Sequence, residues 1–210
     1  MRLALIDTDR YLCCVRDPER TRKKILAKSG ALFNTRGYQA TSISDITTAT
    51  GLTKGAIYRH FGSKKGLENE TLSYLTTIMF EKLRGYIKQE VTAGAKLRAV
   101  FKYFESYIHN PEVKGGCPLM NAAIEADDAH PSLRKSAMKT LDMLTESVVV
   151  ILRNGVRFGQ IKKDIDAQHY ATLVVASMEG AIMMSRLKGK DDDIRRVVKH
   201  LEEELYKIEL

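Results

Sequence analysis

Residues 41–61 constrain this 210-residue chain more than any other stretch. They run Thr41-Ser42-Ile43-Ser44-Asp45-Ile46-Thr47-Thr48-Ala49-Thr50-Gly51-Leu52-Thr53-Lys54-Gly55-Ala56-Ile57-Tyr58-Arg59-His60-Phe61. Ser42 can cap a helix, and Asp45, three residues on, can reach back to close a capping box and favours the positive helix end. Ile43, Ile46 and Ala49 follow at three-residue steps and give one apolar face. Gly51 stands where the chain must turn, Leu52 plugs the turn, and Thr53 can cap a second helix. In that helix Ile57 and Phe61 are four apart and share the inner face. Lys54, Gly55, Tyr58, Arg59 and His60 are left to face outward. Gly55 and Ala56 are small enough for bases to approach the backbone. Lys and Arg neutralise phosphates or read guanine edges, and Tyr can contact phosphate or a thymine methyl. The spacing predicts a helix-turn-helix whose second helix enters a DNA groove. It also fits two short core helices joined by a glycine.

Charge separates these readings. Residues 1–66 hold 13 Lys and Arg against 5 Asp and Glu, a net of +8, and residues 67–210 hold 21 of each. The whole formal charge lies in the third that carries the motif. A basic face supplies the salt-dependent, sequence-independent part of DNA affinity. A merely solvated surface has no reason to segregate charge in this way, and the segregation equally opposes a helical interaction module without a nucleic-acid partner.

Around the motif stand Thr21-Arg22-Lys23-Lys24-Ile25-Leu26, Ala31-Leu32-Phe33, Arg36-Gly37-Tyr38 and Ser63-Lys64-Lys65-Gly66-Leu67. Together with 41–61 they form an ordered, gapless run from Arg20 to about Leu75 that resembles the DNA-binding domain of TetR/AcrR-family transcriptional regulators. The resemblance implies a homodimer whose recognition helices enter successive major grooves of a palindromic double-stranded operator. It also implies a C-terminal helical domain that binds a small effector. Carried over by residue, it places Thr53, Lys54, Gly55, Ala56 and Arg59 at bases and nearby phosphates. Tyr58 and His60 would meet the backbone, Thr41 and Ser42 a phosphate at the start of the first motif helix, and Lys64 a phosphate at the start of the next helix. His60 fits equally as a histidine packed beside Phe61, and Tyr38 reads as core. Thr47 and Thr50 stand where the family favours Ala, and their hydroxyls are expected to bond carbonyls one turn back. Gly66 replaces a frequent Glu, which leaves that helix with a weaker capping box.

The rest of the chain reads as helix after helix with no strand pattern. Helices are expected over 18–35, 63–90, 93–109, a short stretch ending at 126, 131–158, 167–187 and 191–208. Pro111, Gly115, Gly116 and Pro118 break the chain between the third and fourth of these, Pro131 suits a first helical turn, and Gly159 ends the long helix. The fold class is all-α: an N-terminal three-helix helix-turn-helix DNA-binding domain over 18–78 and a C-terminal helical effector-binding and dimerisation domain over 79–210. Residues 1–17 precede the resemblance and read as an extension: an ordered arm, a tail or a matter of start-site choice. Asp7, Asp9 and Arg10 interrupt its apolar runs, against a signal peptide, and no run of 18 uncharged apolar residues exists for a membrane span, so a cytoplasmic protein is expected.

Helix 167–187 is apolar around most of its circumference and must be buried on several sides. Its small residues Ala171, Ala176, Ser177, Gly180 and Ala181 would let another helix approach. This suggests that 167–187 and 191–208 form the homodimer contact; the alternative is a central helix of a monomer. Tyr103, Phe104, Tyr107, Cys117, Met120, Asn121, Met138 and Met178 are candidate linings of an effector pocket, since Met-rich aromatic walls suit apolar ligands. A stripe of this kind also makes ordinary core. Asn121 and Glu125, one turn apart, fit either a ligand or a helix end. Cys13, Cys14 and Cys117 have no metal-ligand spacing, and their odd number fits a reducing compartment. Cys117 reads as a redox sensor or as a small buried group. There is no phosphate loop, metal cluster or nucleophile elbow. His109 and His130 mark helix boundaries, while His169 and His200 lack spaced partners, so neither an enzyme nor a cofactor is expected.

Overall fold

Asp17 opens the first helix by accepting a hydrogen bond from the Arg20 amide at 2.9 Å, with Pro18 at the first helical position. A computed structural model describes residues 17–126 and 130–210, and the extension with Cys13 and Cys14 lies outside the described residues apart from Asp17. Among the described residues the elements are α1 (Pro18–Arg36), α2 (Ile43–Thr50), α3 (Lys54–Phe61), α4 (Lys64–Lys88), α5 (Ala93–Ser106), α6 (Pro118–Ala126), α7 (Pro131–Arg157), α8 (Ala167–Lys188) and α9 (Asp192–Ile208). The fold is all-α, and the only strand-like pairing there is an isolated bridge between Ile161 and Glu209. No described helix is long and apolar enough to cross a membrane.

Helices α1 to α3 close on a small core of Ile25, Phe33, Tyr38, Ile46, Ile57 and Phe61. Phe33 and Tyr38 stack with centroids 4.8 Å apart, so Tyr38 is core as expected. Burial of each such side chain contributes about 1.5–3 kcal/mol, a large share of a small domain's margin. Helix α4 packs on α1 and α3, runs unbroken through residue 78, and continues against α5 and α7. It joins the motif mechanically to the second half of the chain.

In that half, α5 threads between α4, α7, α8 and α9. Arg98 on α5 grips the Glu209 carboxylate with both guanidinium nitrogens, and the Leu210 amide donates to Gln160 O at 3.1 Å. The chain end is thus sealed onto the core by a charge-assisted, two-point contact. Helix α6 lies against α7 and α4 and also reaches α1.

Candidate nucleic-acid interface

The caps of the motif follow the local chemistry. Ser42 Oγ accepts from the Asp45 amide at 3.1 Å, and the Ser42 amide donates to Asp45 Oδ2 at 2.8 Å. This bonding holds the half-buried Asp45 carboxyl below the usual range, with the Ser42 hydroxyl the largest cause and Arg36 a smaller one. The Thr47 and Thr50 hydroxyls donate to Ser44 O and Ile46 O, each at 2.7 Å, so both polar side chains are satisfied locally. Gly51 takes the left-handed conformation at φ +70°, and its amide donates to Thr47 O at 2.8 Å. Thr53 Oγ1 then accepts from the Ala56 amide at 3.2 Å and starts α3.

Ile57 and Phe61 pin α3 to the core. On the other side Thr53, Lys54, Gly55, Tyr58 and Arg59 are exposed, Tyr58 to 41%. For a large aromatic ring on a short helix, that exposure leaves one face without a protein partner. Ala56 is half-buried. His60 is also half-buried, with its ring 6.1 Å from that of Phe61, so it borders the exposed face rather than projecting from it. The pitch of α3 is set by Arg22 of α1. Its Nη1 donates to His60 O at 3.1 Å, its guanidinium lies 4.8 Å over the Phe61 ring, and it pairs with Glu70 of α4. One side chain thus binds the recognition helix to both neighbours. Sequence reasoning placed Arg22 in the motif's surroundings without a role, because its partners lie 38 and 48 positions away.

Two expected phosphate contacts are corrected. Thr41 is fully buried, and its hydroxyl donates to Gly37 O at 2.7 Å, closing the α1–α2 loop. Lys64 turns inward: Nζ donates to Tyr38 O at 2.8 Å and approaches the buried Glu68 carboxylate at 3.4 Å. Burial raises the Glu68 pKa and Lys64 counters it, so removing the ammonium would strand a buried carboxylate. Ser42 is exposed at the head of α2, where it was expected. The cap of α4 is complete on its Ser63 side, with Oγ accepting from the Gly66 amide at 3.0 Å. A side chain at Gly66 would collide with Phe61 O, which explains the missing Glu.

Residues 25–71 match the family described as bacterial regulatory proteins, tetR family, and residues 93–201 match the tetracyclin repressor-like C-terminal domain. A TetR transcriptional regulator from Chloroflexus aurantiacus J-10-fl superimposes with a TM-score of 0.89 at 34% identity, covering 93% of this chain and all of that one. The chain belongs to the TetR family of transcriptional regulators. A family member from Cytophaga hutchinsonii has a TM-score of 0.83 at 29% identity, over 92% of this chain and 96% of its own. The HTH-type transcriptional repressor DhaR of Mycobacterium sp. strain GP1 is 23% identical over 167 residues, 80% of this chain and 83% of the repressor. Membership makes this protein a DNA-binding regulator and not an enzyme.

Gly55 of this TetR-family protein is not required by the packing of α3. A Cβ placed there would meet only Thr53 Oγ1, at 4.0 Å, so nothing within the fold demands a glycine. Glycine in a helix nonetheless costs roughly 0.5–1 kcal/mol relative to Ala. Replacing Gly55 by Ala is therefore expected to raise the melting temperature slightly while weakening specific DNA binding several-fold, as read by thermal unfolding and by titration of a labelled duplex. Unchanged DNA affinity would mean that the backbone of α3 stays clear of the bases.

The C-terminal half has a cavity of about 840 Å³ between α6, α7 and α8. Of the expected linings it includes Met120 and Met138. Tyr103, Phe104, Tyr107 and Met178 are buried in closed core instead. The reason is aromatic packing: Tyr103 meets Phe104 and Tyr107 edge-on at 5.3 and 5.5 Å and fills the space behind α5. Cys117 is fully buried, and burial together with the nearby Glu179 pushes its thiol well above the ordinary value. A thiol kept neutral and dry is a poor nucleophile, so Cys117 is the small buried group of the two readings.

Asn121 also leaves the cavity. Its Nδ2 donates to Asn34 O, Asn34 Oδ1 and Gly115 O, at 2.9–3.1 Å. Glu125 accepts from the Tyr38 amide at 2.9 Å and the Gln39 amide at 3.0 Å. The pair thus reaches the DNA-binding half rather than a ligand. Leu119, Met120, Ala123 and Ala126 of the same helix line the cavity.

Proposed function

We propose that this regulator is a cytoplasmic homodimeric repressor that binds a palindromic operator and is released by a small molecule held between α6, α7 and α8. The observation that carries the reading is the firmly held α3 with Lys54, Gly55, Tyr58 and Arg59 on its open side. Two such helices, one per protomer, would enter successive major grooves about one helical turn apart. Dimerisation is supported by the uncovered stripe on α8, where Leu173, Ala176, Met184 and Leu187 are exposed and a Cβ at Gly180 would meet open space. Exposed apolar side chains repeating along one helix face mark an association surface.

Release would run through α6. A molecule in the cavity bears on Leu119, Met120 and Ala123, while Asn121 and Glu125 hold the α1 end and the loop leading to α2. If the ligand prefers a position of α6 that spoils the spacing of the two recognition helices, it lowers operator affinity, and operator lowers ligand affinity equally.

Selection of bound sequences from random duplexes tests the DNA half of this reading, and the expected product is a two-fold symmetric site. Replacing Lys54 or Tyr58 by Ala is then expected to weaken binding to that site about tenfold each, with melting nearly unchanged. Equal, salt-sensitive binding to selected and random DNA would overturn the assignment. A large loss of stability would place these side chains in the core instead.

A further inference from the structure

Among the described residues, Glu179 of α8 is the one carboxylate in the cavity wall that the fold has withdrawn from water. Its stem is half-buried, and its Oε2 is buried without a hydrogen-bond partner. Its Oε1 receives the Cys117 thiol at 3.0 Å, a weak donor for a group with about four acceptor positions. Such a site is costly when empty, since a buried polar atom without a partner loses its hydration and gains nothing. Burial correspondingly raises the pKa of Glu179 above the ordinary carboxylate range.

Around it the cavity is largely apolar: Leu119, Met120, Met138, Leu141 and Val175 form much of the wall. Among the described residues the charged side chains of that wall are Asp142, Glu146, Glu179 and Arg134, three carboxylates against one guanidinium. Asp142, Glu146 and Arg134 are all exposed, and Glu146 is turned toward Arg153 at 3.5 Å. Glu179 alone combines depth, charge and an open acceptor. An anion there would meet an uncompensated carboxylate, and a neutral apolar molecule would leave Oε2 as it is.

We infer that the cavity takes an amphipathic organic cation, a primary or secondary ammonium on an apolar body, with its N–H groups directed at Glu179 Oε2. The inference rests on reading this cavity as the effector site and adds the class of effector. A volume of about 840 Å³ suits a molecule of drug-like size. The pocket's mouth carboxylates Asp142 and Glu146 would favour approach of the same charge, as a secondary, screened contribution.

Three probes of one shape test it on the full-length protein: 4,4-diphenylbutylamine, 4,4-diphenylbutanol and 4,4-diphenylbutanoate, titrated by calorimetry. The amine is expected to bind at least tenfold more tightly than the alcohol, and the carboxylate most weakly. Glu179→Gln is expected to reduce the amine's advantage to threefold or less, while Glu90→Gln, at an exposed carboxylate outside the cavity wall, leaves it within twofold of the unmodified protein. In the unmodified protein, the Glu179 carboxyl carbon resonance is expected to move with amine and not with alcohol, which tests the contact even if Glu179→Gln folds poorly. An alcohol that binds as well as the amine, an advantage that survives Glu179→Gln, or no binding by any probe overturns the inference. Operator release is measured separately. An amine that binds through Glu179 without weakening operator binding refutes the release reading and leaves the site standing. Operator release that is indifferent to Glu179→Gln does the reverse.

Discussion

Replacing Leu173 and Leu187 together by Asp is expected to turn the protein into a monomer and to lower its affinity for a two-half-site operator by roughly 10²–10⁴-fold. Both side chains are exposed on the free protomer, Leu173 to 49% and Leu187 to 86%. Their replacement therefore removes little from the protomer's own core, and surface changes of this kind usually cost it under about 0.5 kcal/mol. In a dimer the same positions would bring carboxylates into an apolar helix-helix contact, at several kcal/mol for each buried charge left unpaired. The loss on DNA follows from linkage between two modest half-site contacts: without the dimer, the second recognition helix loses its effective concentration at the neighbouring groove. Sedimentation should move from about twice 23.7 kDa to 23.7 kDa, with the helical circular dichroism unchanged. A double variant that remains dimeric would show that another face pairs. The other element expected in the contact, α9, exposes Arg195, Arg196, Lys199, Glu202 and Glu203 with Tyr206 among them, so it would supply a polar rim beside the apolar α8 seam.

What was legible beforehand is what depends on neighbours in sequence. Ser42 with Asp45, Gly51 and Thr53 place the two motif helices because caps and turns are made within four residues, and those contacts are present as read. The split of charge at residue 66 is a property of composition and survives any arrangement of the helices. Helix boundaries came within a few residues for the same reason: Pro131 and Gly159 act locally.

What was not legible depends on which distant element a side chain meets. Lys64 has the residue type of a phosphate contact, yet its ammonium is taken up by Tyr38 O and Glu68. Thr41 is a plausible exposed hydroxyl until the Gly37 carbonyl is found above it. The aromatic stripe of α5 has the same spacing whether it walls a cavity or fills a core, and only the packing of Tyr103 against Phe104 and Tyr107 decides that it fills. The cavity formed one layer away, where Met120 and Met138 were the visible signs. Its most informative residue, Glu179, sits amid an apolar run of α8. A single carboxylate inside an apolar helical stretch is the signal the sequence offers for it.

Glu125→Ala is expected to expose the amides of Tyr38 and Gln39 to hydrogen exchange about 10–100-fold faster, while those of Ile57 and Phe61 keep their protection. The carboxylate accepts both amides at 2.9 and 3.0 Å across 87 and 86 positions of sequence. A hydrogen bond to a charged group contributes about 1.5–3 kcal/mol, and the lower end applies because the Gln39 contact is exposed. Without Glu125 the loop of residues 37–41 keeps Lys64 on the Tyr38 carbonyl but loses its hold on α6. The motif core of Ile46, Ile57 and Phe61 is untouched, so operator affinity without ligand should change by no more than a few-fold. The ligand response should change far more. With one face of α6 on the cavity and the other on this loop, the carboxylate is the shortest physical link between the two ends of the proposed switch. A cavity ligand that weakens operator binding in the unmodified protein should do so much less in Glu125→Ala, even though its own affinity is preserved. If exchange at Tyr38 and Gln39 accelerates while the ligand still releases the operator fully, coupling must pass instead through the Asn121–Asn34 contact of α6 or along α4, which packs on α1 and α3 at one end and on α5 and α7 at the other.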